Sequence, residues 1–133
     1  MDAITRAAVR SRAGNRCEYC GLPQEAVPDS TFHIEHVVAK QHDGGDDLPN
    51  LACDRCNLHK GPNLTAVDPT SGEVTALFHP RNDIWSAHFV EQQGQIIGLT
   101  RVGRATARLL VMNAPRRIEL RLSLIQTDEP PNG

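Results

Sequence analysis

Four cysteines, set as two Cys-x-x-Cys pairs, constrain this chain more than any other feature. Cys17 and Cys20 form one pair, Cys53 and Cys56 the other, with 32 residues between them. Zinc takes four thiolates in a tetrahedron, and each pair can supply one edge of it. The entropy of closing a loop grows slowly with length, so the wide separation costs little more than a narrow one. Metal binding at such a site can contribute on the order of 10 kcal/mol of apparent folding free energy. Two vicinal disulfides or four inert buried thiols are the rival readings. No apolar h-region follows Met1 and no apolar run reaches membrane-spanning length, so the expected compartment is the cytoplasm, without a membrane partner. In that reducing setting paired Cys-x-x-Cys motifs favour metal over disulfide. A closed four-sulfur site keeps no open position, so its zinc is expected to be structural, pinning the N-terminal segment to the start of a short helix.

Size and charge narrow the reading further. The 133 residues suit one compact domain, expected over 1–126, with 127–133 as a polar, Pro-rich tail. Aromatic residues make up 4% and hydrophobic residues 39% of the chain, which predicts a modest, aliphatic core that a structural metal would support. The formal net charge of -2 is no bulk footprint of a nucleic-acid binder. The charges are uneven, however. Arg6, Arg10, Arg12 and Arg16 crowd the N-terminus, and Arg101, Arg104, Arg108, Arg116, Arg117 and Arg121 the C-terminal part, while Asp43, Asp46 and Asp47 gather in one turn. Local basic patches can meet phosphate while the average stays mildly acidic; solvated helix faces are the ordinary alternative.

Taken in order, the chain predicts a helix from a cap at Asp2 to about Ala13, with Ile4, Ala8 and Val9 as its apolar stripe and Gly14-Asn15 as its stop. CEYCG, Cys17 to Gly21, reads as a zinc knuckle, and Pro23 to Val27 as a helical turn. Phe32 to Val38 reads as a strand whose alternation slips at Glu35-His36, which predicts a bulge or kink there. Asp43-Gly44-Gly45-Asp46 signals a turn, Leu48 to Ala52 a second strand, and Asp54 to Lys60 a short helix stopped by Gly61-Pro62. Two hairpins are expected next, Thr65–Val67 with Val74–Phe78, and Trp85–Glu91 with Gln95–Thr100. Gly103 to Met112 reads as a helix, and Asn113 as the cap of another that runs to about Gln126 on a stripe of Ile118, Leu122 and Ile125.

Between the cysteine pairs lies a series of chemistry-bearing residues: Glu35-His36, Asn50, and Asn57 directly after Cys56, with Lys60-Gly61 beyond. Each has a bland reading, a solvated strand carboxylate, a hydrogen-bonded structural histidine, a turn-forming asparagine. Phosphodiester hydrolysis needs a base to take a proton from water, a cation to steady developing charge, and something to hold the base's tautomer. Histidine suits the first task and Mg²⁺ the second, since that ion needs only one or two protein oxygens beside water and phosphate.

In that order and inside that cysteine framework, the residues resemble the bacterial HNH endonucleases. The resemblance implies an α+β fold: a ββα-metal (HNH, His-Me finger) core stapled by a four-cysteine zinc site, with extra hairpins and C-terminal helices. It implies divalent-metal-dependent hydrolysis of DNA phosphodiester bonds, on double-stranded DNA entered along the minor groove with arginines on backbone phosphates. It makes His36 the general base and Asn50 the residue that braces the site and orients the His36 ring. Glu35 and Asn57 become ligands of a catalytic Mg²⁺ or other divalent ion, beside the structural Zn²⁺ on Cys17, Cys20, Cys53 and Cys56. Lys60 can meet a phosphate, His33 shares strand parity with Glu35, and His59 is a spare for Asn57. Two features depart from many members: Glu in place of Asp before the histidine, and only two residues between Asn50 and Cys53. Asp68-Pro69, Phe78-His79-Pro80-Arg81, Trp85 with His88-Phe89, and Gly103-Arg104-Ala105-Thr106 resemble one bacterial subfamily. A catalytically inactive, zinc-containing module for nucleic-acid binding or protein interaction is the alternative.

Overall fold

The computed structural model describes residues 3–36 and 49–128, with side chains to 125. Asp2, Val37-Val38, His42, the Asp43–Asp47 turn and Leu48 lie outside the described residues. Helix α1, Ala3–Arg12, is rich in alanine and arginine, both strong helix formers. It stops at Gly14 and Asn15, both left-handed (φ 65° and 56°). Its expected stripe is not what docks it. Val9 is buried, but Ile4 is 82% exposed. The arginines do the docking, Arg10 to the Phe32 carbonyl (3.1 Å) and Arg12 to the Pro49 carbonyl (2.5 Å).

The cysteine knuckle follows, with Cys17 N–H bonded to the Leu22 carbonyl and Gly21 N–H to the Cys17 carbonyl, both 2.9 Å. A 3₁₀ turn, Gln24–Ala26, fills the place of the expected helical turn. Strands β1 (His33–Glu35) and β2 (Asn50–Ala52) are antiparallel, pairing His33 with Ala52, Ile34 with Leu51 and Glu35 with Asn50. The register stays regular through Glu35, and the bulge or kink expected at Glu35-His36 runs into residues outside those described. Helix α2, Asp54–Lys60, has the bounds its sequence predicts, with the Cys53 sulfur as N-cap and Gly61 at φ 50° as the stop.

In the C-terminal half, β3 (Thr65–Val67) and β4 (Val74–Ala76) form the expected hairpin. The second hairpin starts later than expected. Trp85–His88 is a short helix, α3, and strand β5 begins at Phe89, running to Gln92 against β6, Gln95–Gly98. Two positive φ values at Gln93 and Gly94 make the tight two-residue turn that suits a hairpin. Helix α4, Arg101–Leu109, starts two residues early because the Thr100 hydroxyl caps it through Gly103 N–H (3.1 Å). It lies so close to the end of α3 and to β6 that a Cβ on Gly103 would meet the His88 carbonyl oxygen at 2.1 Å and the Gly98 Cα at 3.2 Å.

Helix α5, Pro115–Asp128, continues two residues into the stretch expected to be tail. Asn113 does not cap it. Its amide clamps β6 instead, accepting from Ile96 N–H (2.7 Å) and donating to the Ile96 carbonyl (2.9 Å). The facing of α5 also departs from its apolar stripe. Arg117 and Arg121 are buried, while Leu122 and Ile125 are exposed. Arg121 donates to the carbonyls of Gly94 (2.9 Å) and Met112 (2.7 Å), and Arg117 to Asp54 (2.8 Å), so inward-turned guanidinium groups fix the rotation of the helix.

One core joins both halves, and aliphatic residues are its largest group, as composition suggests. All five aromatic residues belong to it. Tyr19, Phe32, Phe78 and Phe89 are buried, Trp85 packs against them, and the four cysteines lie in the same cluster with Leu22, Leu51, Leu110 and Met112. Phe89 meets Phe78 edge-on at 5.3 Å and Trp85 at 5.1 Å.

Candidate functional site

The knuckle and the start of α2 bring the four sulfurs together. All lie within 4.8 Å of one another, all four cysteines are buried, and none is in a disulfide. Cys20 and Cys53 sulfurs are 3.8 Å apart, the ~3.8 Å separation of thiolates ~2.3 Å from a shared tetrahedral zinc. Backbone N–H groups of Cys20 and Cys56 point at the first sulfur of each pair (3.5 and 3.4 Å). Hydrogen bonding from Cys17 holds the Cys20 and Cys53 thiols below the usual range, while burial pushes Cys17 up and its thiol neighbours, Cys17 first, push up Cys56. This donor set is compatible with zinc.

Beside the cluster, Glu35 is the hub. Its side chain is only 12% exposed. The Tyr19 hydroxyl, presented from between the first two cysteines, donates to one carboxylate oxygen at 2.7 Å. The other oxygen faces the Lys60 ammonium at 3.9 Å. Asn50 is fully buried and sits directly across the strand pair, its NH₂ turned to the carboxylate without closing a full hydrogen bond. Burial raises the Glu35 carboxyl above its ordinary range, against the opposing pull of Tyr19, Lys60, Asn50 and His36. Burial also lowers Lys60 and raises Tyr19. Lys60 is thus not placed for the phosphate contact expected of it: it is 1% exposed and turned inward to Glu35.

His36 follows Glu35 at the strand end, half-buried, its Nδ1 enclosed and without a hydrogen-bond partner among the described residues. Asn57 is half-buried on α2, one turn before Lys60. His33, despite its strand parity with Glu35, is exposed; His59 is half-buried. A carboxylate has about four lone-pair positions, so Tyr19 and Lys60 leave Glu35 with capacity for a cation, although the Lys60 charge already offsets part of its own.

Three residues in this assembly carried no assigned role in the sequence. Glu18 and Tyr19 figure there only as part of CEYCG. Arg81 drew notice only as part of Phe78-His79-Pro80-Arg81. Arg81 Nε donates to Asn50 Oδ1 at 2.7 Å, and its terminal nitrogen pairs with Glu18. Glu18 also pairs with Arg12 at 3.4 Å.

Residues 17–63 match the family model for HNH endonuclease, a stretch that contains both cysteine pairs, Glu35, His36, Asn50, Asn57 and Lys60. No curated protein and no solved structure matches the chain.

Proposed function

We propose that this chain, through the HNH endonuclease segment at 17–63, hydrolyses DNA phosphodiester bonds in a divalent-metal-dependent reaction. The observation that carries the reading is the pairing of Glu35 with Asn50 across β1 and β2, beside His36 and beside the four-cysteine cluster, whose Cys53 directly follows β2. The short link between Asn50 and Cys53 is compatible with it, because β2 spans that interval in extended form. In this reading His36, with an imidazole suited to proton transfer near neutral pH, takes the proton of the attacking water. Glu35 and the amide oxygen of Asn57 would hold Mg²⁺ or another divalent ion, which supplies charge stabilisation at the phosphate when bound. Asn50 steadies Glu35. The four cysteines would hold a structural zinc, which would fix Tyr19 and the start of α2. We further propose one domain over 1–126, a cytoplasmic setting and double-stranded DNA as substrate. Among the described residues no helix is long and apolar enough to cross a membrane.

The test is nicking of supercoiled plasmid with Mg²⁺, Mn²⁺ or EDTA, beside His36→Ala. Nicking that needs both the ion and His36, with zinc content equal in both proteins, is expected. Wild-type rates from His36→Ala would remove His36 from the mechanism. The second reading, a non-catalytic zinc-containing nucleic-acid-binding or interaction module, draws on the partial neutralisation of Glu35 by Lys60. Salt-dependent gel shifts without nicking under any ion would favour its nucleic-acid form, because phosphate contacts release counterions. Absence of binding would favour its interaction form.

A further inference from the structure

The residue that controls Asn50 comes from outside the stretch that matches the family. Arg81 lies in the loop after β4, and its Nε is 2.7 Å from Asn50 Oδ1. A guanidinium only donates hydrogen bonds, so the atom facing it must be the amide oxygen, whichever way an isolated asparagine would turn. The NH₂ then lies at the opposite end of the side chain. Asn50 is 0% exposed and pairs with Glu35 in register, so that end is turned across the ladder to the carboxylate, short of a full hydrogen bond. A flipped amide would set two oxygens against each other there and leave the Arg81 donor facing an NH₂.

Arg81 is itself held. Its terminal nitrogen pairs with Glu18, whose N–H is bonded to the Leu51 carbonyl at 2.8 Å, next to Asn50. Its loop is fixed by His79 Nδ1, which accepts from Arg81 N–H (3.1 Å), and by Asp83, which accepts from His79 N–H (2.9 Å). Arg12 reaches Glu18 and the Pro49 carbonyl from the other side. The fork thus joins Asn50 on β2 to Glu18, which is itself bonded to β2 through its backbone N–H.

We propose that Arg81 is a positioning residue of the candidate site: by holding the Asn50 carbonyl it fixes which end of that amide meets Glu35, and so aims the carboxylate. The proposal rests on the nuclease reading for its consequence in catalysis but not for its structural content. Lysine cannot replace arginine here, because one ammonium on a flexible stem does not reproduce a planar fork that serves Asn50 and Glu18 together. Loss of an outer partner that orients a metal ligand costs roughly 10–100-fold in activity or metal affinity as a rule.

Two readouts test it on full-length, zinc-loaded protein. In ¹⁵N NMR spectra the Asn50 side-chain NH₂ pair, identified by its loss in Asn50→Ser, should shift in Arg81→Lys while zinc content stays constant. In plasmid nicking, Arg81→Lys should lower kcat on the order of 10-fold with KM unchanged, which separates positioning from a direct phosphate contact. Arg81 borders an open groove of about 530 Å³ lined also by Arg12, Glu18 and Trp85, so added methylguanidinium can reach the gap left by Arg81→Ala and should restore part of kcat. An unmoved Asn50 NH₂ pair in Arg81→Lys overturns the proposal, and so does a defect confined to KM. If the wild-type protein does not nick at all, the nuclease reading fails by itself, and the Asn50 resonances still decide the role of Arg81.

Discussion

Asp68 and Glu35 are two carboxylates withdrawn from water in different halves of the molecule, and they titrate in opposite directions. Asp68 closes the β3–β4 turn. Arg104 grips both its oxygens (2.9 and 2.8 Å), and the Thr70 N–H, Ser71 N–H and Ser71 hydroxyl add three more donors. Arg104 and this set of donors hold its carboxyl far below the ordinary range despite burial. Glu35 has one close donor, Tyr19, an Asn50 amide short of a full hydrogen bond, and a lysine at 3.9 Å, so burial prevails and its carboxyl moves up. Burial alone therefore does not say what a carboxylate is for. A saturated one behaves as a fixed part of the scaffold, and an undersupplied one keeps lone pairs free for chemistry.

The signs of the two pH dependences follow. Asp68 is depressed in the folded protein, so its contribution is complete above the ordinary carboxylate range and is lost as pH falls through the folded value. Glu35 is raised, so its contribution is complete below that range and is lost as pH rises through the folded value.

The largest expected effect comes from Cys53→Ser, which dismantles the surroundings of Glu35 and spares those of Asp68. Zinc stoichiometry should fall together with a stability loss of several kcal/mol, out of the order of 10 kcal/mol that such a metal contributes. A metal-replete variant with a wild-type melt would eliminate the four-sulfur site. Next in size is Asp68→Asn, which leaves Arg104 without its charged partner. Its Tm should drop by roughly 5 °C at neutral pH, and the gap should narrow in acid, where the wild-type carboxylate is itself protonated. A uniform gap at all pH values would mean that shape, not charge, matters at Asp68. The smallest effect has the opposite sign. Replacing the buried pair together, Glu35→Gln with Lys60→Met, should raise stability in urea melts by about 1 kcal/mol at neutral pH while ending plasmid nicking. A double variant less stable than Asp68→Asn would place Glu35 in the scaffold class and abolish the contrast.

Much of this arrangement could be read before any coordinates, where spacing and punctuation are local. The cysteine pairs announce their own convergence, and α2 runs from Cys53 to Gly61 because a capping sulfur and a left-handed glycine bracket it. The facing of α5 was not legible, because pattern reasoning assigns arginine to solvent. Arg117 and Arg121 instead find an aspartate and two carbonyls inside. The same blindness hid Tyr19 and Arg81. Their partners Glu35 and Asn50 are 16 and 31 residues away, distances at which sequence carries no pairing signal of its own. The inward turn of Lys60 is hidden for a related reason, since helix spacing gives its position and not the direction its side chain takes.

The contact between α4 and β6 reaches further than its position suggests. Gly103 leaves no room for a methyl group against the His88 carbonyl. Three residues on, the Thr106 hydroxyl receives the N–H of Phe78 at 2.9 Å, and Phe78 leads directly into the loop that carries Arg81. A side chain at 103 would lift the helix and draw that loop away from Asn50. A genetic selection for loss of DNA damage should therefore return Gly103→Ala or Gly103→Ser among its hits, in protein that still retains its zinc. Such hits would map clearance in the molecule rather than chemistry.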